Sequence, residues 1–570
     1  MKRRKHICLK VIPLILILSA IACNYPMVRE GTPSGSEPSR SGMPPERSLA
    51  PGQATPRISP MPLQPEVPLP SAMPPTETAP PTPTTAPSPT PTAPPSVTPL
   101  PAYQPVFEPV GCAFTVPPGT DPECGYLVVP ENRAHPEEAQ VRLHVAIFHS
   151  RATNPAPDPV VHLSGGPGSS ALELSGYLLR TGMEDVLDRR DLVIFDQRGT
   201  GYSQPALTCP ERQAVTAQLL AGGLSAEKEQ GLIVDSFQRC HDRLTAEGID
   251  LSAYTSAASA ADVEDLRRVL GYPQLNLHGV SYGTRLALTV LRDFPQAVRS
   301  VVLDSTVPLQ VNLYTELAPN AERAFQVLFD NCAADPDCSQ AHPDLETTFY
   351  NLVDQLNANP LPVSVQANGA AYPVLVDGDL LIDVLFVGLY NPYGIGYMPK
   401  MIDDIRRGNT RILEERLALY FDTSTALGLQ MSVICAEEIP FGSPQEALDL
   451  AQGVQPQIAG FFPGNVQPLF AACQNWGSVA PDPRENQPVT SSVPALVLAG
   501  EYDPITPPAW GRMAAETLEQ AYFYEFPANG HWVTRSSDCA LAMMLAFLEA
   551  PGKAPDWGCI GDIREIGFAR

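Results

Sequence analysis

One stretch constrains the fold of this chain more than any other. Residues 275–285 read Leu-Asn-Leu-His-Gly-Val-Ser-Tyr-Gly-Thr-Arg, and a helical pattern continues to about Phe294. An apolar run therefore passes through Gly-x-Ser-x-Gly directly into a helix, which predicts a strand, a sharp turn and a helix. Gly279 and Gly283 suit this turn because side chains at these positions would collide across it. The turn would hold Ser281 above the edge of a sheet in a strained backbone conformation.

A hydroxyl held in this way is suited to nucleophilic attack. The amide of Tyr282 would then lie at a helix N-terminus, where it can face a developing oxyanion. The motif alone decides little, because Gly-x-Ser-x-Gly arises by chance in roughly one chain in five of this length. The hypothesis that Ser281 is a nucleophile therefore depends on the strand order and on partner residues elsewhere in the chain.

Apolar runs typical of buried strands recur along the chain, and helical patterns separate the later ones. The eight predicted strands are Gly125–Val129, Val141–His149, Pro159–Leu163, Asp191–Phe195, Leu275–His278, Ser300–Asp304, Pro494–Ala499 and Ala521–Phe526. This order predicts an α/β protein with a mostly parallel sheet. Eight strands with the sharp turn after the fifth is the arrangement of the α/β-hydrolase fold.

The predicted third strand ends in a glycine-rich loop, Ser-Gly-Gly-Pro-Gly at 164–168. Glycines let the backbone approach a ligand and direct amides at it. In this fold the loop supplies the second oxyanion donor. The donor is the amide of Gly165 or of Gly166, and the sequence does not decide between them. The alternative is a plain glycine-rich turn.

The partners of the nucleophile follow it in the order acid, then histidine, in this fold. After Ser281 the chain has two histidines, His342 and His531. His531 follows the last predicted strand and is the expected base, whereas no strand precedes His342. Asp503 follows the seventh predicted strand and is the expected acid, with Glu501 as the alternative.

Three other acidic or basic residues stand at strand ends. Asp196 and Arg198 follow the fourth predicted strand, and Asp304 closes the sixth. We expect Asp196 and Arg198 to brace a loop near the active site, and Asp304 to be a cap or loop residue.

Three motifs in this order resemble the proline iminopeptidase and tripeptidyl aminopeptidase family of serine exopeptidases. They are Gly-Gly-Pro-Gly at 165–168, Asp-Gln-Arg-Gly-x-Gly-x-Ser at 196–203 and Gly-x-Ser-x-Gly at 279–283. The run Gly-x-x-Asp-Pro-x-Thr-Pro at 500–507 resembles the same family, and the resemblance spans about Cys112 to the C-terminus. It implies a Ser-His-Asp acyl-enzyme mechanism that removes residues or short peptides from free N-termini. Ser164 stands where proline iminopeptidases have His, which favours the tripeptidyl aminopeptidase branch.

Residues 306–490 form an insertion between the two parts of the predicted core, 105–305 and 491–570. Helical patterns recur in it, at Glu322–Asn331, Leu345–Leu356 and Asp377–Leu389. We therefore predict a mostly helical lid that selects substrates. In the resembling aminopeptidases, acidic lid residues bind the free α-amino group of the substrate. Glu437, or its neighbour Glu438, is the candidate for that role, and a solvated helix face or surface ion pair is the alternative.

The N-terminus has the pattern of an export signal. Basic residues precede an apolar run, Val11–Leu18, which is too short for a comfortable membrane span. Ala-Ile-Ala-Cys at 20–23 then resembles a bacterial lipobox, although Ala20 stands where Leu is usual. We predict a signal peptide at 1–22 and an extracytoplasmic protein anchored to the cell membrane by lipid on Cys23. The alternative is an ordinary secretory signal with an incidental cysteine.

Residues 23–104 are rich in proline, threonine, serine and alanine, and they have no hydrophobic periodicity. Such a segment cannot bury a core, and proline favours extended conformations. We predict a disordered tether that holds the catalytic domain away from the membrane. A proline-rich ligand for a partner domain is the alternative.

Besides Cys8 in the signal and Cys23, ten cysteines remain of the chain's 12. An even number in an exported chain implies disulfides. Nearest-neighbour pairing is the simplest arrangement, and other connectivities stay open. The pairs are then Cys112 with Cys124, Cys209 with Cys240, Cys332 with Cys338, Cys435 with Cys473, and Cys539 with Cys559. No cysteine or histidine spacing is typical of zinc, so we expect no metal and no cofactor.

The net charge of −25 and the pI of about 4.7 argue against nucleic-acid binding and against adhesion to anionic lipid. Three functions stay open: a serine aminopeptidase, an esterase or other small-molecule hydrolase on the same fold, and a non-catalytic surface lipoprotein. The intact set Ser281, Asp503 and His531 argues against the third. The expected partners are a peptide or small-molecule substrate and, through the lipid anchor, the membrane; the oligomeric state is open.

Overall fold

The structure is a computed structural model that describes residues 103–477 and 480–570. The predicted signal peptide at 1–22, the lipidation site Cys23 and all but the last two residues of the predicted tether at 23–104 lie outside the described residues. Among the described residues, no helix combines the length and the apolarity needed to cross a membrane.

Eleven strands form one large sheet and one hairpin. They are β1 Val106–Pro109, β2 Glu123–Pro130, β3 Gln140–Phe148, β4 Val160–Leu163, β5 Leu192–Phe195, β6 Leu275–Val280, β7 Val298–Asp304, β8 Leu361–Ala367, β9 Ala370–Val376, β10 Ala495–Gly500 and β11 Ala521–Phe526. The large sheet has the order β1-β2-β3-β5-β4-β6-β7-β10-β11. Its pairings are antiparallel from β1 to β5 and parallel from β5 to β11. All eight predicted strands are present in it.

The sheet has nine strands rather than the eight predicted, because β1 pairs with β2 at the edge. This strand is only four residues long, ends in proline and is partly exposed. A short edge strand that carries proline lacks the continuous apolar run of a buried strand. The pattern of buried runs therefore could not reveal it.

Seventeen α-helices accompany the strands in the described residues. They are α1 Ser175–Arg180, α2 Pro210–Leu220, α3 Ala226–Ala246, α4 Ser256–Val269, α5 Tyr282–Asp293, α6 Leu317–Ala334, α7 Pro336–Ala341, α8 Leu345–Ala358, α9 Gly378–Gly388, α10 Pro392–Arg406, α11 Arg411–Leu417, α12 Leu427–Glu437, α13 Pro444–Leu450, α14 Pro456–Cys473, α15 Pro508–Thr517, α16 Val533–Ser536 and α17 Asp538–Glu549. Helices α6 to α14 make up most of the insertion, as predicted.

The insertion also contains a hairpin that we did not predict. Strands β8 and β9 pair antiparallel, and the two residues between them, Asn368 and Gly369, have φ of 50° and 75°. Asn-Gly with both residues at positive φ is the preferred two-residue hairpin turn. The signal was therefore present in the sequence.

The buried core joins the sheet and the insertion. Every residue of β4, β5, β6 and β10 is buried, as expected for parallel strands covered on both faces. One hydrophobic cluster contains Leu277 and Val497 of the sheet together with Phe386 and Met431 of the insertion. The insertion therefore shares its core with the sheet.

Five disulfides link the ten cysteines of the described region in the nearest-neighbour pattern. They are Cys112–Cys124, Cys209–Cys240, Cys332–Cys338, Cys435–Cys473 and Cys539–Cys559. The Cys435–Cys473 bond ties α12 to the end of α14 inside the insertion. The Cys539–Cys559 bond ties the C-terminal segment to α17.

Candidate active site

Ser281 occupies the sharp turn between β6 and α5. Its φ of 58° and ψ of −127° are strained for a residue with a side chain. A Cβ at Gly279 would lie 2.4 Å from the carbonyl oxygen of Gly283, and one at Gly283 would lie 1.9 Å from that of Leu163. Both glycines are therefore required by close backbone approach, as expected for this turn. The side chain of Ser281 is largely covered, with 7% of the residue exposed.

The glycine-rich loop after β4 lies against this turn. A Cβ at Gly165 would be 2.9 Å from the Cβ of Ser281 and 3.5 Å from its Oγ. The corresponding position at Gly166 instead faces its own loop, at the amides of Gly168 and Ser169. The structure therefore brings Gly165 next to Ser281, while Tyr282 begins α5 directly after it.

Asp503 and His531 meet on the loops that follow β10 and β11. Their Oδ2 and Nδ1 atoms are 2.8 Å apart, and the residues are 0% and 2% exposed. Because Nδ1 faces the carboxylate, Nε2 is the nitrogen left for proton transfer. Thr506 donates its amide (2.9 Å) and its hydroxyl (2.6 Å) to Asp503. Burial alone would raise the pKa of Asp503, but the charge of His531 and these hydrogen bonds outweigh it and hold that pKa below its ordinary value.

Comparison with known proteins agrees with this geometry. The family model described as alpha/beta hydrolase fold matches residues 158–364, and the model described as TAP-like protein matches residues 461–559. The chain has the alpha/beta hydrolase fold.

Three relatives indicate the type of hydrolase. The chain is 27% identical over 469 residues to the serine protease Hip1 of Mycobacterium tuberculosis (strain ATCC 25618 / H37Rv), covering 76% of this chain and 86% of that protein. It is 31% identical over 193 residues to the tripeptidyl aminopeptidase of Streptomyces lividans, covering 32% and 35%. It is 28% identical over 302 residues to carboxylesterase B of Mycobacterium tuberculosis (strain CDC 1551 / Oshkosh), covering 50% and 55%. The hydrolase is an enzyme of the serine hydrolase type.

The two alternative triad residues have other contacts in this hydrolase. The carboxylate of Glu501 accepts the amide of Ala528 at 2.9 Å, so it supports the loop that leads to His531. His342 lies in the insertion and contacts the carbonyl oxygen of Ala569 at 3.0 Å, near the C-terminus. Neither of these hydrogen bonds involves His531 or Asp503.

Asp196 and Arg198 brace their surroundings, as expected. Asp196 accepts hydrogen bonds from the hydroxyl of Ser170 (2.9 Å) and the amide of Tyr202 (2.7 Å), and burial raises the pKa of this carboxyl to about 6. Arg198 forms two 2.7 Å bonds with Asp262. The Asp196 bond to Ser170 holds the loop after β5 next to the glycine-rich loop, and the Arg198 bonds tie it to α4.

The insertion supplies two contacts to the site that the sequence did not reveal. Arg323 on α6 donates to the carbonyl oxygen of Asp503 and, at 2.7 Å, to that of Glu501. The carbonyl oxygen of Tyr390 accepts the amide of His531 at 3.0 Å. The ring centroids of Tyr390 and His531 are 4.9 Å apart. Both residues are more than a hundred positions from their partners, and neither belongs to a recognisable motif.

Glu437 and Glu438 lie inside the protein rather than on a solvated face. Arg285 bonds Glu437 at 3.4 Å and Glu438 at 2.9 Å. Ser256 donates its amide (2.5 Å) and hydroxyl (2.6 Å) to Glu437, and Leu313 donates its amide to Glu438 at 3.1 Å. Burial raises the pKa of both carboxyls, and Arg285 opposes this rise. The charge of both carboxylates therefore has an internal partner in Arg285.

One group of side chains in the described residues has the spacing of metal ligands. His135, Glu137 and Glu138 bring their ligand atoms within 4.8 Å of one another. They are exposed on the loop between β2 and β3, where acidic groups commonly lie without an ion. The serine hydrolase site described above does not involve them.

Proposed function

We propose that this hydrolase is a serine peptidase that releases single residues or short peptides from free N-termini. The observation that carries the proposal is the buried His531–Asp503 pair, with 2.8 Å between Nδ1 and Oδ2, on the loops that follow β10 and β11. The strained position of Ser281 supports the role of nucleophile. Similarity to a serine protease and to a tripeptidyl aminopeptidase supports peptide substrates.

In the proposed mechanism, Nε2 of His531 takes the proton of Ser281 as Oγ attacks the carbonyl carbon of the substrate. Asp503 holds the Nδ1–H tautomer and stabilises the imidazolium that forms. The amides of Tyr282 and of Gly165 or Gly166 stabilise the tetrahedral oxyanion. His531 then returns the proton to the leaving amine, and water, activated by the same histidine, hydrolyses the acyl-enzyme. No metal or cofactor takes part in these steps.

We further propose that the protein acts outside the cytoplasm, held by lipid on Cys23 and by a tether at 23–104. The five disulfides support this proposal, because such bonds persist in oxidising compartments. Cys23→Ala should move the protein from the membrane fraction to the soluble fraction after cell lysis. An unchanged membrane fraction would contradict lipid attachment at this residue.

An esterase is the second candidate, since the chain is also similar to carboxylesterase B over half its length. Both candidates use the same acyl-enzyme, so the substrate must separate them. The test compares purified protein with its Ser281→Ala variant on three kinds of substrate. These are di- and tripeptidyl chromogenic amides with a free amino group, the same amides N-acetylated, and short-chain p-nitrophenyl esters.

A peptidase with N-terminal specificity cleaves the free-amino amides, spares the acetylated ones and loses activity in Ser281→Ala. Cleavage of esters with all amides intact would support the esterase instead. Amide cleavage that is indifferent to acetylation would leave a peptidase but remove the requirement for a free N-terminus.

A further inference from the structure

The end of β7 connects the two catalytic loops of the proposed serine hydrolase mechanism. Asp304 is the last residue of this strand and is fully buried. Its carbonyl oxygen accepts the amide of Ser281 at 3.1 Å. The backbone of Asp304 therefore holds the turn that carries the nucleophile.

The side chains of Asp304 and Ser305 hold the other catalytic loop. Oδ1 of Asp304 accepts the amide of Val533 at 2.8 Å. Oδ2 accepts both the amide (2.8 Å) and the hydroxyl (2.6 Å) of Thr534. The hydroxyl of Ser305 accepts the amide of Trp532 at 2.8 Å. The three amides that follow His531 in the chain are thus all bound by two adjacent residues.

Backbone strain marks the same network. Ser281, Ser305 and Trp532 have φ of 58°, 61° and 69°, although none of them is glycine. Such conformations persist only where the surrounding contacts over-determine them, and they concentrate at functional sites. Three residues with a strained backbone are joined by one set of hydrogen bonds. This indicates that these contacts fix the position of one loop relative to the other.

The carboxylate of Asp304 is also part of the electrostatic environment of His531, the proposed base. The hydroxyl of Thr534 lies 3.3 Å from Nε2 of His278, and Nδ1 of His278 lies 3.1 Å from Nδ1 of His162. Burial lowers the pKa of His278 to about 4 and that of His162 well below its ordinary value, so both rings are neutral. Burial raises the pKa of Asp304, while Thr534 and the positive charge of His531 oppose this rise.

His531 therefore has two carboxylates in its surroundings. Asp503 bonds its Nδ1 directly, and the guanidinium of Arg323 donates to the carbonyl oxygen of Asp503. An imidazolium at His531 is the positive charge that can interact with both anions. A second anion of this kind favours the protonated base that forms as Ser281 is acylated.

We propose that Asp304 is a positioning residue of the catalytic centre, which fixes the loop of Ser281 relative to the loop of His531 and stabilises the imidazolium of His531 alongside Asp503. The proposal rests on the proposed roles of Ser281 and His531. It extends the expectation that Asp304 is a cap or loop residue, since capping the segment after His531 is the means by which it acts.

The test measures how fast the full chain reacts with a fluorophosphonate probe as the pH is varied. Oγ of Ser281 forms a bond to phosphorus, the P–F bond breaks, fluoride leaves, and the proton passes to His531. The rate therefore falls with decreasing pH as His531 becomes protonated. Asp304→Asn removes the anion and should move the midpoint to lower pH by about 0.5 to 1 unit. It should also reduce the rate on the high-pH plateau about tenfold, because the two loops lose their alignment.

Three further variants separate the effect of the charge of Asp304 from its effect on the position of the loops. Asp158→Asn is the control for removing a buried carboxylate, because Asp158 bonds Arg190 at 2.9 Å and, at 2.8 Å, Asn276 near the start of β6, at the opposite end of that strand from Ser281; its midpoint should equal that of the wild type. Thr534→Val removes the 2.6 Å bond to Asp304 but keeps its charge. Ser305→Ala removes the acceptor of Trp532. Each should lower the plateau about fivefold without moving the midpoint.

The outcomes distinguish this inference from the proposed function. If the wild type is not labelled at Ser281, the proposed nucleophile is wrong. If the wild type is labelled and Asp304→Asn keeps both its midpoint and its plateau, only the role of Asp304 is overturned. Circular dichroism checks that each variant is folded. Should Asp304→Asn not fold, unchanged plateaus in both Thr534→Val and Ser305→Ala would still overturn the proposal.

Discussion

Asp503 in the core and Glu437 in the insertion are both fully buried carboxylates, but their surroundings have opposite effects. Asp503 faces His531, and its pKa is held below the ordinary value. Glu437 faces Arg285, yet burial prevails and its pKa is raised. Arg285 must also neutralise Glu438, and Glu437 accepts two hydrogen bonds from Ser256, whereas Asp503 accepts three from Ile505 and Thr506. A fully buried acid thus keeps a low pKa only where its donors and a neighbouring positive charge together outweigh the effect of burial.

The largest predicted difference between Asp503 and Glu437 is in kcat. Asp503→Asn should reduce kcat by about 10⁴-fold, because the amide cannot stabilise the imidazolium and favours the wrong tautomer. Glu437→Gln should change kcat less than about threefold, since its carboxylate is bonded to Arg285 and Ser256. Steady-state kinetics on the best substrate of the wild type measures both. A loss of similar size in Glu437→Gln would erase the distinction between the two acids.

In the insertion, removal of a buried charge should change the free energy of unfolding rather than kcat. Arg285→Met leaves Glu437 and Glu438 buried without their cation, which should cost about 3–5 kcal/mol in the free energy of unfolding. The loss should be larger at pH 8 than at pH 5. Arg285 opposes the rise in both pKa values, so its removal raises them further. The folded variant then binds more protons than the folded wild type, and its stability falls more steeply as the pH rises above the ordinary pKa of a glutamate. Urea unfolding at the two pH values checks this, and equal losses would contradict the raised pKa values.

A disulfide stabilises the part of the insertion that carries these acids. Replacing Cys435 and Cys473 by serine opens a loop of 38 residues and should reduce the free energy of unfolding by about 3–4 kcal/mol. Because the His531–Asp503 pair lies in the core, the folded double variant should keep most of its kcat. The measurement is denaturant unfolding in parallel with kinetics. A kcat that falls as far as in Asp503→Asn would show that the two regions are not separable.

The smallest predicted effect concerns one donor to the core acid. Thr506→Val removes the 2.6 Å hydroxyl bond to Asp503 and should lower kcat/KM about fivefold. Since this bond contributes to the low pKa of Asp503, its loss should raise that pKa. Ser256→Ala is the matched change at Glu437; it removes the 2.6 Å hydroxyl bond to that carboxylate and a 2.9 Å bond to the hydroxyl of Tyr282, whose amide, not its side chain, is the proposed oxyanion donor. It should leave kcat/KM unchanged, and an equal decrease in both variants would contradict the comparison.

The sequence predicted the sheet and the candidate triad because both depend on local patterns. Ser281, Asp503 and His531 each follow a predicted strand, so their order along the chain indicates their roles. The hairpin turn at Asn368 and Gly369 also has a local signal, the Asn-Gly pair. In contrast, Glu437 and Arg285 are 152 residues apart, and Arg323 and Asp503 are 180 apart. No local pattern connects such pairs, because their contact exists only after the insertion has packed on the sheet.

In the proposed mechanism Ser281 carries the acyl group during turnover, with His531 and Asp503 as its base and acid. The most direct measurement is to quench the full chain in acid during turnover of a p-nitrophenyl ester and to locate the acyl group by mass spectrometry. The expected result is one acyl group on the peptide that contains Ser281, and none in Ser281→Ala. An acyl group on another residue, or turnover that persists in Ser281→Ala, would contradict the claim.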